Sequence, residues 1–314
     1  MTDGGKVWIL HLLVLVAVFV AQYLLPPYHA TNLARIMVLA VFAMGYNIAF
    51  GYTGLLSLGH ALFFAAGMYG MGLPVWHLDW VSLPALIAGL VAGGALAGAV
   101  GLLALRTAGV SFMIVTLMFA QAGHLALLYL NTWTGGDEGF VVARTGRALF
   151  GFDLSTDTPR FITAFLLFAV TMLVCLWLVR SPFGRVMVAM RENEDRSRML
   201  GYDPFRVKLV ALVVSGLYAG VAGAAYGMLF GYVGASFSTI QYSILPMLYV
   251  LLGGAGTVLG PFLGAILMFY LIDITSGYTD AYQFVVGASL VALVLFAPKG
   301  ILGSLRERIV PWLP

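Results

Sequence analysis

Side chains that could carry out covalent or metal chemistry are sparse in this sequence. The five histidines, at positions 11, 29, 60, 77 and 124, do not follow the spacing of a metal site. Asp273 is the only acidic residue inside a long apolar stretch. An enzyme needs several titratable groups converging on one point, and an ion-coupled carrier commonly buries acidic residues in its spans. We therefore expect no catalytic residues, no metal and no cofactor.

A second set of residues could line a route for a solute. Glycines interrupt two apolar stretches, one at 51–59 and one at 253–264. Paired glycine-interrupted helices are typical of a transport path, because unwound helix ends offer backbone N–H and C=O groups to a substrate. Close helix packing through small residues is the alternative explanation. The candidate path residues are Asn47, Gly54, Ser57, Gly59, His60, Gly253, Gly254 and Gly256.

Among these candidates, His60 is the first choice for a residue that lines or gates the path. A polar side chain within an apolar span must either find a partner or face water. A hydrogen bond to a neighbouring helix would satisfy His60 equally well, so both roles stay open at this point.

The polar stretch 180–208 carries seven bases and four acids. Ser181 can cap a helix that begins at Pro182, and Gly201 suits a left-handed helix stop. The pattern predicts one or two short amphipathic helices. Their mixed charge argues against simple anchoring to anionic lipid and favours a docking surface for a partner protein. We expect its apolar face to be exposed in the isolated chain, with Met190, Met199 and Leu200.

The elements that hold these residues must be membrane helices. The sequence is 61% hydrophobic and 9% charged, against about 25% charged in a soluble domain. We predict an all-α polytopic membrane protein that forms a single domain over 1–314. The expected number of spans is about ten, within a range of eight to ten. Segment 240–253 is short enough to be re-entrant, and 54–73 is expected to break near Gly59. The ten segments are 7–26, 33–51, 54–73, 81–105, 109–130, 161–179, 208–231, 240–253, 258–276 and 282–298.

Charge predicts the orientation of these spans. Seven of the 16 Lys and Arg residues lie in 180–208, and three more follow the last apolar segment. The positive-inside rule places both regions in the cytoplasm, together with both termini. The stretch 131–160 is then an external loop. Segment 7–26 is interpreted as a retained first helix, since it is long for a signal core and no cleavage pattern follows it.

Four stretches of this sequence resemble the branched-chain amino-acid permeases of ABC importers. These are GYTGLLSLGHA at 51–61, SPFGR at 181–185 running on to REN at 191–193, GGAGT at 253–257 and FAPKGI at 296–301. The resemblance is closest to the LivM-type subunit. The coupling loop of such permeases has Glu-Ala-Ala, three residues, then Gly. Here Asp195-Arg196-Ser197 and Gly201 keep that spacing and change the residue types.

The resemblance implies a transport subunit for Leu, Ile or Val in the bacterial inner membrane. It implies a second, LivH-like permease, two cytoplasmic ATP-binding subunits and a periplasmic substrate-binding protein, with no nucleic-acid partner. No Gly-rich phosphate-binding motif occurs in this chain, which agrees with ATP binding elsewhere. Urea or short amides are alternative solutes, and an ion-coupled carrier or a passive channel is an alternative class. The implied ATPase-coupling residues are Arg191, Glu192, Glu194, Asp195, Arg198 and Gly201.

Overall fold

A computed structural model describes residues 3–296 and 299–308, so the end of the predicted segment 282–298 and the extreme termini lie outside it. Within the described residues the chain is mostly helical. The helices are α1 Asp3–Leu24, α2 Pro27–Asn47, α3 His60–Leu78, α4 Ser82–Ala104, α5 Val110–Tyr129, α6 Asn131–Thr134, α7 Asp157–Arg180, α8 Pro182–Glu192, α9 Glu194–Met199, α10 Pro204–Phe230, α11 Ile240–Gly253, α12 Gly260–Ser276, α13 Tyr282–Phe296 and α14 Gly300–Arg308. Four two-residue strands complete the structure: β1 Phe140–Val141, β2 Ala148–Leu149, β3 Phe152–Asp153 and β4 Tyr232–Val233.

Seven helical stretches in the described residues are long and apolar enough to cross a membrane. They are Gly5–Leu24, Pro27–Tyr52, His60–Leu78, Ser82–Ala104, Val110–Tyr129, Asp157–Arg180 and Pro204–Phe230. The other three predicted spans correspond to shorter helices, with 14 residues in α11, 17 in α12 and 15 in α13. The chain is therefore an all-α polytopic membrane protein, and a total of ten crossings stays a prediction.

The third predicted span starts later than its apolar pattern indicated. Helix α2 runs on through a π-helical turn, Ile48–Tyr52, and the chain leaves helical geometry before α3 begins at His60. The first N–H groups of a helix lack intrahelical partners. Here the side chain of Ser243 on α11 accepts one of them, from the N–H of Ala61, at 3.0 Å. At the break expected near Gly59, a side chain of the neighbouring helix α11 thus satisfies an N–H group at the start of α3.

Glycines bring α3, α4 and α10 into close contact at the centre of the bundle. A Cβ at Gly67 of α3 would overlap the backbone of Gly220 on α10. A Cβ at Gly220 would lie 2.8 Å from the carbonyl oxygen of Gly89 on α4 and 2.9 Å from Cα of Gly93. In lipid, helix association depends largely on such close packing and on interhelical hydrogen bonds. This three-helix crossing holds α10 against α3, which carries the candidate residue His60.

The stretch 131–160 is joined to the end of α10. Strand β1 pairs with β4 in an antiparallel bridge, with Phe140 opposite Val233. Strands β2 and β3 form a small hairpin within the stretch. The buried side chain of Arg147, 8% exposed, donates from Nε to the carbonyl of Met228 at 2.7 Å and from Nη2 to that of Leu229 at 2.5 Å. These bonds satisfy carbonyl groups at the C-terminal end of α10 that lack helical partners.

Replacing Arg147 with methionine should destabilise the chain by about 3 kcal/mol, because two charge-assisted hydrogen bonds are lost and two carbonyls lose their partner. The matched control is Arg144→Met, because Arg144 lies in the same stretch and its side chain is exposed. Thermal unfolding of both variants in detergent checks the prediction. Equal unfolding temperatures for the two variants would show that Arg147 does not hold the end of α10.

Candidate transport site

The two glycine-rich segments, far apart in sequence, meet at the end of α2. The fully buried Asn47 side chain joins them: its Nδ2 donates to the carbonyl of Thr257 and its Oδ1 accepts from the N–H of Gly256, both at 2.9 Å. A Cβ at Gly51 would overlap the Asn47 amide and lie 2.6 Å from the nitrogen of Gly256. A side chain at Gly51 would therefore separate the two segments.

Arg191 of α8 lies directly on this junction. Its guanidinium donates a hydrogen bond to the carbonyl of Gly51. Its Cγ lies where a Cβ at Gly54 would approach within 3.2 Å, and Gly54 adopts a φ of +78° that disfavours other residues. One residue predicted for ATPase coupling thus contacts the residues predicted for the path.

The second glycine segment serves both packing and turn geometry. A Cβ at Gly253 would overlap the carbonyl of Gly260, so this glycine allows α11 and α12 to approach closely. Gly254 and Gly256 have φ values of +123° and +73°, which only glycine adopts readily. The carbonyl of Gly256 accepts a hydrogen bond of 3.2 Å from Arg306 on α14. Arg191 of α8 and Arg306 of α14 therefore each donate a hydrogen bond to a glycine carbonyl at this junction, Gly51 and Gly256 respectively.

His60 lies fully buried between helices and makes a hydrogen bond across them. Its Nε2 is 2.7 Å from Oγ of Ser215 on α10. The rings of Tyr46 and Phe63 pack edge-on against it at 4.7 and 5.3 Å. This geometry is that of an interhelical hydrogen bond, the alternative role of His60, and a path-lining role stays a prediction.

Ser57 and Gly59 shape the entry to α3. The hydroxyl of the buried Ser57 accepts from the N–H of Gly59 at 3.1 Å. A Cβ at Gly59 would lie 2.7 Å from the carbonyl of Thr116 on α5. The side chain of Thr116 in turn accepts from the N–H of Leu58 at 3.2 Å. This segment is packed against α5, within the protein.

The predicted helix pair in 180–208 is present as α8 and α9. The Ser181 hydroxyl accepts from the N–H of Gly184 at 3.2 Å with Pro182 at the first helical position, as the sequence indicated. Asn193, which sequence reasoning missed, caps α9 by accepting from the N–H of Arg196 at 2.9 Å. Gly201 has a φ of +90° just after α9, in agreement with the predicted stop.

The apolar face of this pair divides into a covered part and a free part. Met190 is 3% exposed, so its predicted exposure is wrong: α8 turns this residue toward the bundle. Met199 and Leu200 are 86% and 76% exposed, as predicted. The role of these two residues in a docking surface stays a prediction.

Charged residues of α9 bind it to α10. Glu194 pairs with Lys208 at 2.5 Å and with Arg198 at 3.6 Å. Glu192, Asp195 and Arg198 are exposed. Of these two ion pairs, Glu194–Arg198 lies within α9, whereas Glu194–Lys208 joins α9 to α10 and helps to hold the two helices together.

Spanning helices, two helix breaks joined by Asn47 and a polar helix pair that contacts them are the features expected of a membrane transport subunit. A family model described as "Branched-chain amino acid transport system / permease component" matches residues 29–295, and the chain belongs to this family. It is a permease component, so ATP hydrolysis belongs to other subunits.

Curated relatives agree with this family. The high-affinity branched-chain amino acid transport system permease protein LivM of Escherichia coli K12 is 29% identical over 87% of this chain and 69% of its own length. LivM of Salmonella typhimurium gives the same identity and coverage. LivH of Escherichia coli K12 is 23% identical over 84% of this chain and 91% of its own. No solved structure gives a significant match.

Proposed function

We propose that this chain is the membrane-spanning permease subunit of an ATP-driven importer of leucine, isoleucine and valine in the bacterial inner membrane. The LivM and LivH relatives are high-affinity branched-chain amino acid permeases, which supports this substrate class. The observation that carries the mechanism is the hydrogen bond from Arg191 on α8 to the carbonyl of Gly51. It links the polar helix pair to the junction of the glycine segments.

The assembly we propose contains a second, LivH-like permease, two cytoplasmic ATP-binding subunits and a periplasmic substrate-binding protein. Similarity of this chain to both LivM and LivH supports a pair of related permeases. The single domain 1–314 would have both termini and the stretch 180–208 in the cytoplasm. The stretch 131–160 would face the binding protein, as the positive-inside rule favours.

In this arrangement α8 and α9 form the coupling element on which an ATPase subunit acts. Movement of α8 pulls on Gly51 through Arg191, and Asn47 carries the displacement to the turn at Gly256. The candidate path residues flank this route. The exposed Met199 and Leu200 would be covered by the ATPase, while pairs at the rim contribute about 0–1 kcal/mol each.

Reconstitution tests the proposal. Proteoliposomes with this chain, a LivH-like permease, two ATPases and a binding protein should accumulate radiolabelled leucine only with ATP on the ATPase side. Vesicles with this chain alone should accumulate none. Leucine accumulation by the chain alone, driven by a proton or sodium gradient, would overturn the importer proposal, and uptake of urea without leucine would overturn the substrate class.

Replacing Arg191 with methionine should uncouple ATP hydrolysis from transport. A hydrogen bond to a charged group contributes about 1.5–3 kcal/mol, so we expect about a 10- to 100-fold fall in leucine moved per ATP hydrolysed. Arg185→Met is the control, an exposed arginine on the same helix. Cysteines at Glu194 and Arg198 should cross-link to the ATPase in both variants, and an unchanged leucine-to-ATP ratio in Arg191→Met would refute the coupling role.

A further inference from the structure

A cleft of 930 Å³ lies beside the glycine junction, and Gly51 and the candidate path residue Gly256 are part of its lining. Its walls come from the ends of α2 and α7, from α8, from the turn after α11 and from α14. Helices α2 and α7 belong to two of the candidate membrane spans. Since both spans end at this cleft, at Tyr52 and Arg180, it lies at the level where a bilayer meets water.

The cleft concentrates positive charge. Four basic side chains line it, with one carboxylate, Glu192, among the described lining residues. The four are Arg180, Arg191, Lys299 and Arg306. They come from three helices and from the residue before α14. A cluster of cations from separate elements around one open space favours an anion with several acceptor oxygens.

Two of these cations are held in place by the backbone. Arg191 donates to the carbonyl of Gly51 and Arg306 donates to that of Gly256 at 3.2 Å. A guanidinium has five N–H donors, so each retains donors after these bonds. Tyr52, 3% exposed, also lines the cleft, and its hydroxyl has no hydrogen-bond partner within the described part of the chain.

The remaining wall is apolar. Phe50, Val179, Val188 and Leu251 line the same space as the cations. A soluble anion would gain nothing from these side chains, whereas a lipid places its acyl chains against them and its phosphate among the cations. Basic pockets between membrane helices bind anionic headgroups in this manner.

We propose that this cleft binds an anionic phospholipid, with the phosphodiester group among Arg180, Arg191, Lys299 and Arg306 and the acyl chains against the apolar wall. The bound lipid would hold α14 against the ends of α2 and α7. This site is independent of the solute that the chain transports. The chemistry shared with a free phosphate ion is the phosphate group alone, so the test compares the two directly.

The test uses the full-length chain, purified in detergent and depleted of lipid. Native mass spectrometry and thermal unfolding measure binding of phosphatidylglycerol, phosphatidylcholine and inorganic phosphate. Phosphatidylglycerol should bind and raise the unfolding temperature, with a response that weakens at high salt. Each of Arg180→Gln and Arg306→Gln should weaken phosphatidylglycerol binding about fivefold. Arg185→Gln, which removes an exposed cation outside the cleft, should bind as the wild type does.

Arg306→Lys separates a loss of binding from a loss of structure, because it keeps the charge and should restore most of the affinity lost in Arg306→Gln. Equal binding of phosphatidylcholine and phosphatidylglycerol would overturn the proposal. So would equal affinity for phosphate ion and lipid, or unchanged binding in both glutamine variants. None of these measurements depends on transport, so the importer proposal stands or falls separately.

Discussion

Replacing Gly67 with alanine is expected to disrupt the packing of the bundle at its centre. The added Cβ would overlap the carbonyl oxygen, Cα and carbonyl carbon of Gly220. These are backbone atoms, so no side-chain rotation relieves the clash, and α3 and α10 must move apart. Overpacking costs about 3 kcal/mol where the neighbours cannot adjust. Thermal unfolding and the monodisperse fraction after size-exclusion chromatography measure the loss.

Gly287→Ala is the matched control, because a Cβ there has open space around it. It makes the same chemical change in another apolar helix, α13. We expect Gly287→Ala to unfold at the wild-type temperature or slightly higher, since alanine favours helix over glycine by about 1 kcal/mol. If Gly67→Ala matched this control, the close crossing of α3 and α10 would be incorrect.

Replacing Asn47 with aspartate is expected to abolish leucine uptake by the reconstituted transporter. The carboxylate still accepts from the N–H of Gly256, but it has no donor for the carbonyl of Thr257 and repels it. It also places a charge in a fully buried position, which is destabilising. Asn47→Ala tests the same site without charge, and leaves two buried backbone groups unpaired at about 1–3 kcal/mol each.

Uptake must be normalised to the amount of folded transporter, measured in the same vesicles. Gln241→Glu provides the control, since it makes the same amide-to-carboxylate change at an exposed position outside the junction and outside the stretch 131–160. We expect wild-type uptake from this control. Wild-type uptake from Asn47→Asp would mean that the bridge between the glycine segments does not matter for transport.

The sequence could predict the features that depend on neighbouring residues. Apolar length predicted most of the membrane helices, because a span needs a continuous apolar stretch. The cap at Ser181 and the stop at Gly201 were predictable, since both depend on residue type within a few positions. The glycine interruption before His60 was visible for the same reason.

Contacts between distant segments were not predictable in this way. Asn47 and Gly256 are 209 residues apart, and nothing local in either segment indicates the other. Met190 and Met199 are both apolar residues of a polar stretch, yet the bundle covers only the first. Nothing in the residues near Arg147 indicates its partners, because the carbonyls that it binds are 81 and 82 residues away on α10. In each case the deciding partner lies in a distant part of the chain.

Helix α10 is fastened at both ends. Near its start, Lys208 pairs with Glu194 of α9, and at its other end Arg147 holds the carbonyls of Met228 and Leu229. Its 27 residues span about 40 Å, and its one proline is at the first position. Coupling between binding sites at the two ends of such a helix is thermodynamically reciprocal. If a protein bound at α9 changes the free energy of ligand binding at the stretch 131–160, a ligand bound at that stretch changes the free energy of binding at α9 by the same amount.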